Sequence, residues 1–236
     1  AAWTKSNSFV QTNLLTYSEQ FDNVVWVKDF LLAFGSGSTA NATNAPNGYQ
    51  TADLITPDTS SNYHRVYNAT NSVTTTIASF SVYVKSNGYN KIGLRESATS
   101  GAGAAFDLST GTVIGAYNAG GSTVSNMTIN DVGNGWYRCS CSISFATSTA
   151  MTLGVYVLSP SYASGGNLQA TWAANGTSGI YLWGAQLTNG GSAGDYRRTD
   201  SASLPVFYPN HNGVVCAEKL VEATSGLIHS TTAPAP

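Results

Sequence analysis

The residues able to act as acids, bases or nucleophiles are few and scattered along the chain. Asp and Glu together number 12, and the histidines are His64, His211 and His229. No two carboxyl residues are set up by a motif as acid and nucleophile, and no histidine lies near a serine or cysteine nucleophile signature. The stretch Gly101–Gly103 is not followed by a helical pattern, so it does not predict a phosphate-binding loop. We therefore expect a protein that is not an enzyme.

Metal-binding chemistry is equally sparse. The cysteines are Cys139, Cys141 and Cys216, and with three scattered histidines they do not reach zinc-ligand spacing. In a strand, Cys139 and Cys141 lie on one face about 6.6 Å apart along the chain, a poor geometry for a disulfide. We expect both to be small buried hydrophobes of a chain made in a reducing compartment. No dense Asp/Asn loop marks a calcium site, so no metal and no cofactor is predicted.

Aromatic side chains are the remaining candidates for function, because a sugar packs its C–H face on a ring and bonds its hydroxyls to polar neighbours. The glycan-binding candidates are Tyr83, Lys85, Trp136, Arg138, Tyr156 and Trp172. The first five occupy outward positions of three strongly alternating strands, and Trp172 lies in a long polar loop. If the three strands are neighbours, Tyr83, Trp136 and Tyr156 form one patch.

These positions also have a purely structural interpretation. The second sheet, an N-terminal arm or a C-terminal tail could cover the face and bury the rings, or another subunit could contact it. The loop aromatics Tyr63, Tyr67 and Tyr162, together with Trp172, form a second candidate group. The sequence leaves these alternatives open.

Charge and hydropathy exclude several classes of partner. Charged residues make up 9% of the chain, against about 25% in an average soluble protein. There is no Lys/Arg cluster, so neither nucleic acid nor an anionic membrane is expected as a partner; the basic pair Arg197–Arg198 predicts a solvated loop. No apolar run approaches the about 20 residues that cross a bilayer, and the start lacks a signal pattern. We expect a soluble chain without an obvious cleavable signal, although an already processed chain would look the same.

Hydrophobic patterning predicts an all-β fold. Gly179–Leu187 is apolar at both alternating sets, with Ile180 and Leu182 on one side and Tyr181, Trp183, Ala185 and Leu187 on the other. It is therefore predicted as a central strand covered on both faces. The stretches 77–85, 136–145 and 151–157 alternate between apolar and other residues. Turn signals recur about every 8–12 residues, which is typical of a sandwich. The predicted fold class is an all-β, two-sheet antiparallel jelly-roll sandwich.

Shorter signals add local expectations. The Asn87-Gly88 turn predicts a hairpin into the next strand, and the turn at 109–111 predicts a second hairpin. His64 and Arg65, within one strand, are expected on a solvated face. The sequence divides into an extended N-terminal arm over 1–12, the jelly roll over 13–200, and an extended C-terminal tail over 201–236 with a candidate short helix over 214–223.

Five stretches then occur in a fixed order along the chain. They are Asn13-Leu-Leu-Thr-Tyr-Ser-Glu-Gln-Phe-Asp-Asn, Phe80-Ser-Val-Tyr-Val-Lys, Phe106-Asp-Leu-Ser-Thr-Gly-Thr-Val, Gly133-Asn-Gly-Trp-Tyr-Arg-Cys-Ser and Gly179-Ile-Tyr-Leu-Trp-Gly-Ala-Gln-Leu. Together they resemble the concanavalin-like, carbohydrate-binding-module-type jelly-roll domain of tailed-bacteriophage virion surface proteins, of tail-fibre or capsid-decoration type. The resemblance covers about residues 13–200. Tyr196-Arg-Arg-Thr stands where such domains often close with Tyr-Ile-Pro-Thr.

The resemblance implies a non-enzymatic structural protein on the virion surface, made in the cytoplasm of the bacterial host. Its implied partners are capsid or tail subunits held through the terminal arms, together with further copies of itself in a homo-oligomer. A cell-surface glycan is a further candidate partner, and the alternative function is a glycan-binding host-recognition module of a tail fibre or adhesin. No heptad or shaft repeat is visible, which argues against a whole tail fibre.

Overall fold

The computed structural model describes residues 12–97, 100–146 and 150–201. The predicted arm over 1–12 falls outside this part of the chain except for its last residue. The predicted tail over 201–236, with its candidate helix over 214–223, falls outside it except for its first residue. The described residues contain no helix of sufficient length and apolar character to cross a membrane.

The described residues form strands connected by turns and loops. The strands are β1 (Trp26–Asp29), β2 (Thr39–Asn44), β3 (Gln50–Ile55), β4 (Ser61–Asn62), β5 (His64–Ser72), β6 (Ile77–Asn87), β7 (Lys91–Glu96), β8 (Gly103–Asp107), β9 (Thr112–Tyr117), β10 (Thr123–Gly133), β11 (Trp136–Ser144), β12 (Ala150–Val157), β13 (Trp172–Ala173) and β14 (Gly179–Asn189).

These strands build a jelly-roll sandwich of two antiparallel sheets. The first sheet has the order β1-β5-β12-β7-β8-β9, and the second has the order β10-β11-β6-β14-β3-β2. The short strands β4 and β13 pair with each other apart from both sheets. The all-β, two-sheet prediction is confirmed, and β14 is central as predicted, between β6 and β3.

The core lies between the two sheets and follows the predicted alternation. Phe80, Val82 and Val84 of β6 are buried in the same core cluster as the inward residues of β12, including Leu153 and Val155. Burying each such side chain contributes about 1.5–3 kcal/mol. Cys139 and Cys141 are also buried, without a disulfide, and their burial raises the pKa of both thiols. Their prediction as small buried hydrophobes is confirmed.

A β-bulge in β14 changes which of its residues face the core. The register against β6 shifts between Trp183 and Gln186. One extra residue in a strand reverses the facing of everything after it. Ala185 and Leu187 therefore join Leu182 in the core instead of following Trp183 to the outer face. The prediction that Ala185 and Leu187 share a side with Trp183 is wrong for this reason.

The first predicted hairpin is also wrong, whereas the second is confirmed. β6 and β7 belong to different sheets, so the turn at Gly88 carries the chain across the sandwich. The next residue, Tyr89, is buried, and its ring packs edge-on against Trp172 at 5.0 Å. A turn sequence encodes a local reversal but not the partner that the following strand finds. β8 and β9 do pair as an antiparallel hairpin.

His64 differs from its predicted solvated position. Its side chain is 0% exposed, with Nδ1 2.6 Å from the Phe30 carbonyl oxygen and Nε2 3.1 Å from that of Trp172. The segments bearing Phe30 and Trp172 thus cover this end of β5. Arg65, the next residue, points to the outer face of the first sheet, but its side chain is 12% exposed and its Nη2 lies 2.7 Å from Asp29 Oδ2, so it too is less solvated than predicted.

Candidate functional site

Four of the six predicted glycan-binding residues lie on the outer face of the second sheet. β6 and β11 are neighbours in register, with Lys85 opposite Trp136 and Tyr83 opposite Arg138. On the other side of β6, Trp183 of β14 lies opposite Tyr83. The outward positions of β6 and β11 therefore meet, so these two of the three strands fulfil the condition set for the predicted patch.

Tyr156 and Trp172 lie elsewhere, so the expected patch of three rings does not form. Tyr156 is on β12 of the first sheet and is buried; its phenol oxygen accepts hydrogen bonds from Arg65 at 2.8 Å and Arg95 at 3.2 Å. Trp172 packs edge-on against His64 at 5.1 Å. Period-two patterning identifies the outward residues of a strand but not the sheet it joins.

The rings of the second candidate group come partly together around Tyr156. Tyr63 and Tyr162 pack against a small cluster that contains Tyr156, and the Tyr67 ring lies 4.1 Å from the Arg65 guanidinium carbon. Arg65 is already neutralised by Asp29 at 2.7 Å. Its pKa is raised from the usual value although burial lowers it, because the hydroxyl of Tyr156 and the carboxylate of Asp29 favour the charged form.

Trp136 is covered by the chain itself. Its side chain is 1% exposed, and its indole Nε1 donates to the carbonyl oxygen of Asn44 at 3.1 Å. The loop that begins at Asn44 closes over this end of the face. Between them remains a small cleft of about 360 Å³, which Lys85 and Asn134 also line.

Tyr83 is likewise packed among aromatic neighbours. Its ring centroid lies 5.2 Å from that of Trp183 and 5.8 Å from that of Tyr196. The Tyr196 hydroxyl shares a hydrogen bond with Ser18 Oγ at 2.8 Å and donates one to Glu19 Oε1 at 3.1 Å. Burial raises the pKa of both Tyr196 and Glu19. The segment bearing Tyr196 therefore occupies the centre of the face.

Beside this covered centre, the same face has an open polar cleft of about 470 Å³. We call it the hydroxyl cleft and define it by its lining side chains and one loop. They are Ser79, Asn126, Thr128, Asn130, Arg138, Ser140, Ser142 and the segment 191–194, with Cys141 also in contact. Of the six predicted residues, Arg138 lines this cleft.

The polar floor of the cleft is a consequence of strand alternation. Serines occupy the outward positions of β11 and β6, while the inward positions hold the core. Thr128 and Ser140 share one hydrogen bond of 2.7 Å, and Ser79 and Ser142 share another of 2.8 Å. Each hydroxyl carries one proton, so the Thr128–Ser140 pair keeps one donor available.

The loop wall of the cleft is held by side chains of β14. Gln186 is fully buried; its Nε2 donates to the carbonyl oxygen of Ala193 and, at 3.0 Å, to that of Asp195. The Thr188 hydroxyl donates a hydrogen bond to the Ser192 carbonyl oxygen at 2.8 Å. Asn126 of β10 donates from Nδ2 to the Gly191 carbonyl oxygen at 2.9 Å and so ties β10 to this loop.

Arg138 lies at one end of the cleft. Its Nη2 donates to Ser81 Oγ at 3.0 Å, and its guanidinium carbon lies 5.5 Å from the Tyr83 ring centroid. Its Nε is buried and has no hydrogen-bond partner within the described ranges.

Sequence reasoning selected Arg138 but missed the serines, threonine and asparagines around it. The predicted site was based on aromatic side chains. The serines at alternate positions of β11 and β6 were the sequence pattern that would have predicted a polar outer face. Elsewhere in the described ranges, no group of three or more His, Cys, Asp or Glu side chains is placed to hold a metal ion.

The chain was compared with known proteins and structures. No family model matches it, and no curated protein matches it. The solved structures that are similar in part include one with the N-terminal CBM22-1 and GH10 modules of the Clostridium thermocellum endo-1,4-beta-D-xylanase 10B, complexed with xylohexaose. The match has 18% identity and a TM-score of 0.39, and it covers 80% of this chain and 30% of that chain. The fold class rests on the two sheets themselves.

Proposed function

We propose that this chain is a glycan-binding module and that the hydroxyl cleft is its binding site. The observation that carries the proposal is an open cleft of about 470 Å³ lined almost entirely by hydroxyl and amide side chains. Such side chains both donate and accept hydrogen bonds, as sugar hydroxyls do. The volume falls in the range of about 300–1,000 Å³ that is usual for small-molecule sites.

The lining also supports binding over hydrolysis. Glycoside hydrolysis generally uses a pair of carboxyl groups that flank the scissile bond. Among the described residues that line the hydroxyl cleft, none is Asp or Glu. We therefore propose a binding module without catalytic activity of its own.

The test is a glycan array, followed by titration of the best glycan against a blocked variant. Ser140→Leu places a branched apolar side chain on the cleft floor and should weaken binding at least tenfold, about 1.4 kcal/mol. Thr112→Leu, at an exposed position of β9 in the other sheet, is the matched control and should bind normally. If folded Ser140→Leu binds as well as the original chain, or the original chain binds no glycan, the proposal is wrong.

We further propose that the module serves on the surface of a tailed-phage particle, as a decoration or attachment protein beside capsid or tail subunits and further copies of itself. The five collinear motifs from Asn13 to Leu187 support this role. Labelled antibody on purified particles tests it. Label over the head supports a decoration protein, and label at the tail tip supports the host-recognition alternative. Particles without label overturn the proposal.

A further inference from the structure

We infer that the hydroxyl cleft selects a glycan that carries an anionic group, which Arg138 binds. The inference rests on the proposed function and deepens it by naming the ligand class. It starts from the described residues that line the cleft. Arg138 is the one charged residue among them, and none of them is Asp, Glu, His or Lys. All other lining side chains with polar groups are neutral hydroxyls, amides and a buried thiol.

Arg138 is held in place without being saturated. A guanidinium has five N–H donors. Among the described residues this side chain donates one hydrogen bond, from Nη2 to Ser81 Oγ at 3.0 Å. Its contact with the Tyr83 ring, at 5.5 Å, orients the guanidinium plane further. Asn130 lies opposite Arg138 in register on β10 and also lines the cleft. A ligand that reaches Arg138 therefore finds a positioned cation with donors left to use.

The charge of Arg138 is not neutralised within the described part of the chain. The ion pairs found there involve His64, Arg65 and Arg198, and none involves Arg138. The acids closest in sequence to the lining are Asp131 and Asp195, and both are exposed. Asp131 accepts a hydrogen bond from the Gly133 amide at 2.7 Å, in the turn that follows β10.

Arg65 on the first sheet gives an internal contrast. Its side chain is 12% exposed, and Asp29 contacts it at 2.7 Å. The charge of this guanidinium is therefore already neutralised by a carboxylate of the same chain. Arg138 lacks that partner, so a carboxylate or sulfate would gain a charge-assisted hydrogen bond that a neutral hydroxyl cannot match. Both anions share this chemistry, and the experiment separates them.

The experiment compares matched acidic and neutral glycans on an array. It adds titrations with polygalacturonate against its methyl ester and with dextran sulfate against dextran. We expect an acidic member to bind at least about tenfold more tightly than its neutral counterpart, with the preference falling as salt rises. Preference within the first pair indicates a carboxylate, and preference within the second indicates a sulfate.

Three variants assign the preference to this residue. Arg138→Gln should lose at least about tenfold more affinity for the acidic glycan than for the neutral one. Arg138→Lys should retain a salt-sensitive part of the preference, because it keeps the charge but not the fork of donors. Arg198→Gln, at an exposed arginine outside the cleft, is the control and should behave as the original chain.

The outcomes separate this inference from the proposed function. Equal binding of acidic and neutral glycans overturns the inference and leaves glycan binding intact. An acidic preference that persists in folded Arg138→Gln also overturns it. The absence of any glycan binding overturns the proposed function and the inference together.

Discussion

Asp53 shows what burial does to one charged side chain in this fold. Asp53 lies on β3, and its carboxylate accepts hydrogen bonds from the backbone amides of Phe21 at 2.7 Å, Asp22 at 3.3 Å and Asn41 at 2.9 Å. It thereby joins the chain entry to β3 and adds a side-chain bond between β3 and β2 within the second sheet. Burial raises the pKa of Asp53 from 3.8 to about 6, because these hydrogen bonds only partly replace the hydration of the charged form.

The raised pKa predicts greater stability in mild acid. The folded protein holds this proton more tightly than the unfolded chain does. The stabilisation that protonated Asp53 gives to the folded state is therefore complete below about pH 4 and is lost as pH rises through about 6. Between pH 7 and pH 5, Asp53 should add about 1 kcal/mol to the free energy of unfolding. Urea denaturation of the original chain and of Asp53→Asn at both pH values measures it.

The quantity to compare is the difference in unfolding free energy between the two proteins. It should shift by about 1 kcal/mol between pH 7 and pH 5. Asp195→Asn, at an exposed carboxyl, is the matched control variant. A difference that is the same at both pH values for Asp53→Asn would contradict the assignment.

At the scale of elements, the bulge in β14 is what connects the fold to the cleft. Gly184 has φ of +60°, and a Cβ there would lie 2.9 Å from the Tyr83 ring, so this step in the strand requires glycine. After the bulge, Gln186 faces outward opposite Ser81 and holds the cleft wall. On its other side β14 pairs with β3 only over Ile180–Leu182, so later backbone groups of β14 have no partner in β3.

Asn13 supplies those missing partners. Its Oδ1 accepts a hydrogen bond from the Leu187 amide at 3.1 Å. Its Nδ2 donates hydrogen bonds to the carbonyl oxygens of Ala185 at 3.0 Å and Arg197 at 2.8 Å. The Ser18 carbonyl oxygen also accepts a hydrogen bond from the Ala185 amide at 2.9 Å. The motif that begins at Asn13 thus acts as a strap over the bulge.

Asn13→Ala should therefore destabilise the sandwich by about 2–3 kcal/mol, since it leaves several buried backbone groups without partners. Urea denaturation measures the loss. Asn90→Ala, at an exposed asparagine, is the matched control and should stay within about 0.5 kcal/mol of the original chain. A loss in Asn13→Ala no larger than that of the control would show that the strap is not needed.

At the scale of the whole molecule, the first and last described segments run side by side. The Ser18 amide donates to the Thr199 carbonyl at 3.1 Å, and the Tyr17 amide donates to the Asp200 carbonyl at 2.8 Å. Both sheets, the core between them and the strap are contained between these segments. The described part of the chain therefore holds the elements that an autonomous domain needs.

We expect a chain trimmed to residues 12–201 to unfold cooperatively and to keep its glycan affinity. If the terminal segments attach the protein to particles, the trimmed chain should not decorate them. Thermal unfolding, glycan titration and sedimentation with purified particles measure the three properties. Decoration by the trimmed chain would rule out attachment through the arms, and failure to fold would show that the sandwich needs its flanking segments.

Local patterning was enough to identify most strands and their inward residues. β6, β11 and β12 follow the alternation of their sequences, because a strand places successive side chains on opposite faces whatever its neighbours are. The same alternation placed Arg138 on an outer face. The hairpin of β8 and β9 also needed nothing beyond its turn.

Tertiary structure decided everything that depends on which segments meet. It placed Tyr156 on the opposite sheet from Tyr83, buried Trp136 under the Asn44 loop, and reversed the facing of β14 at Gly184. The hydroxyl cleft exists because β10, β11, β6 and the 191–194 loop meet at one place. The sequence by itself therefore determined an all-β chain with alternating faces and no catalytic motif. Sheet membership and the cleft were decided by pairing between distant strands, which no local pattern encodes.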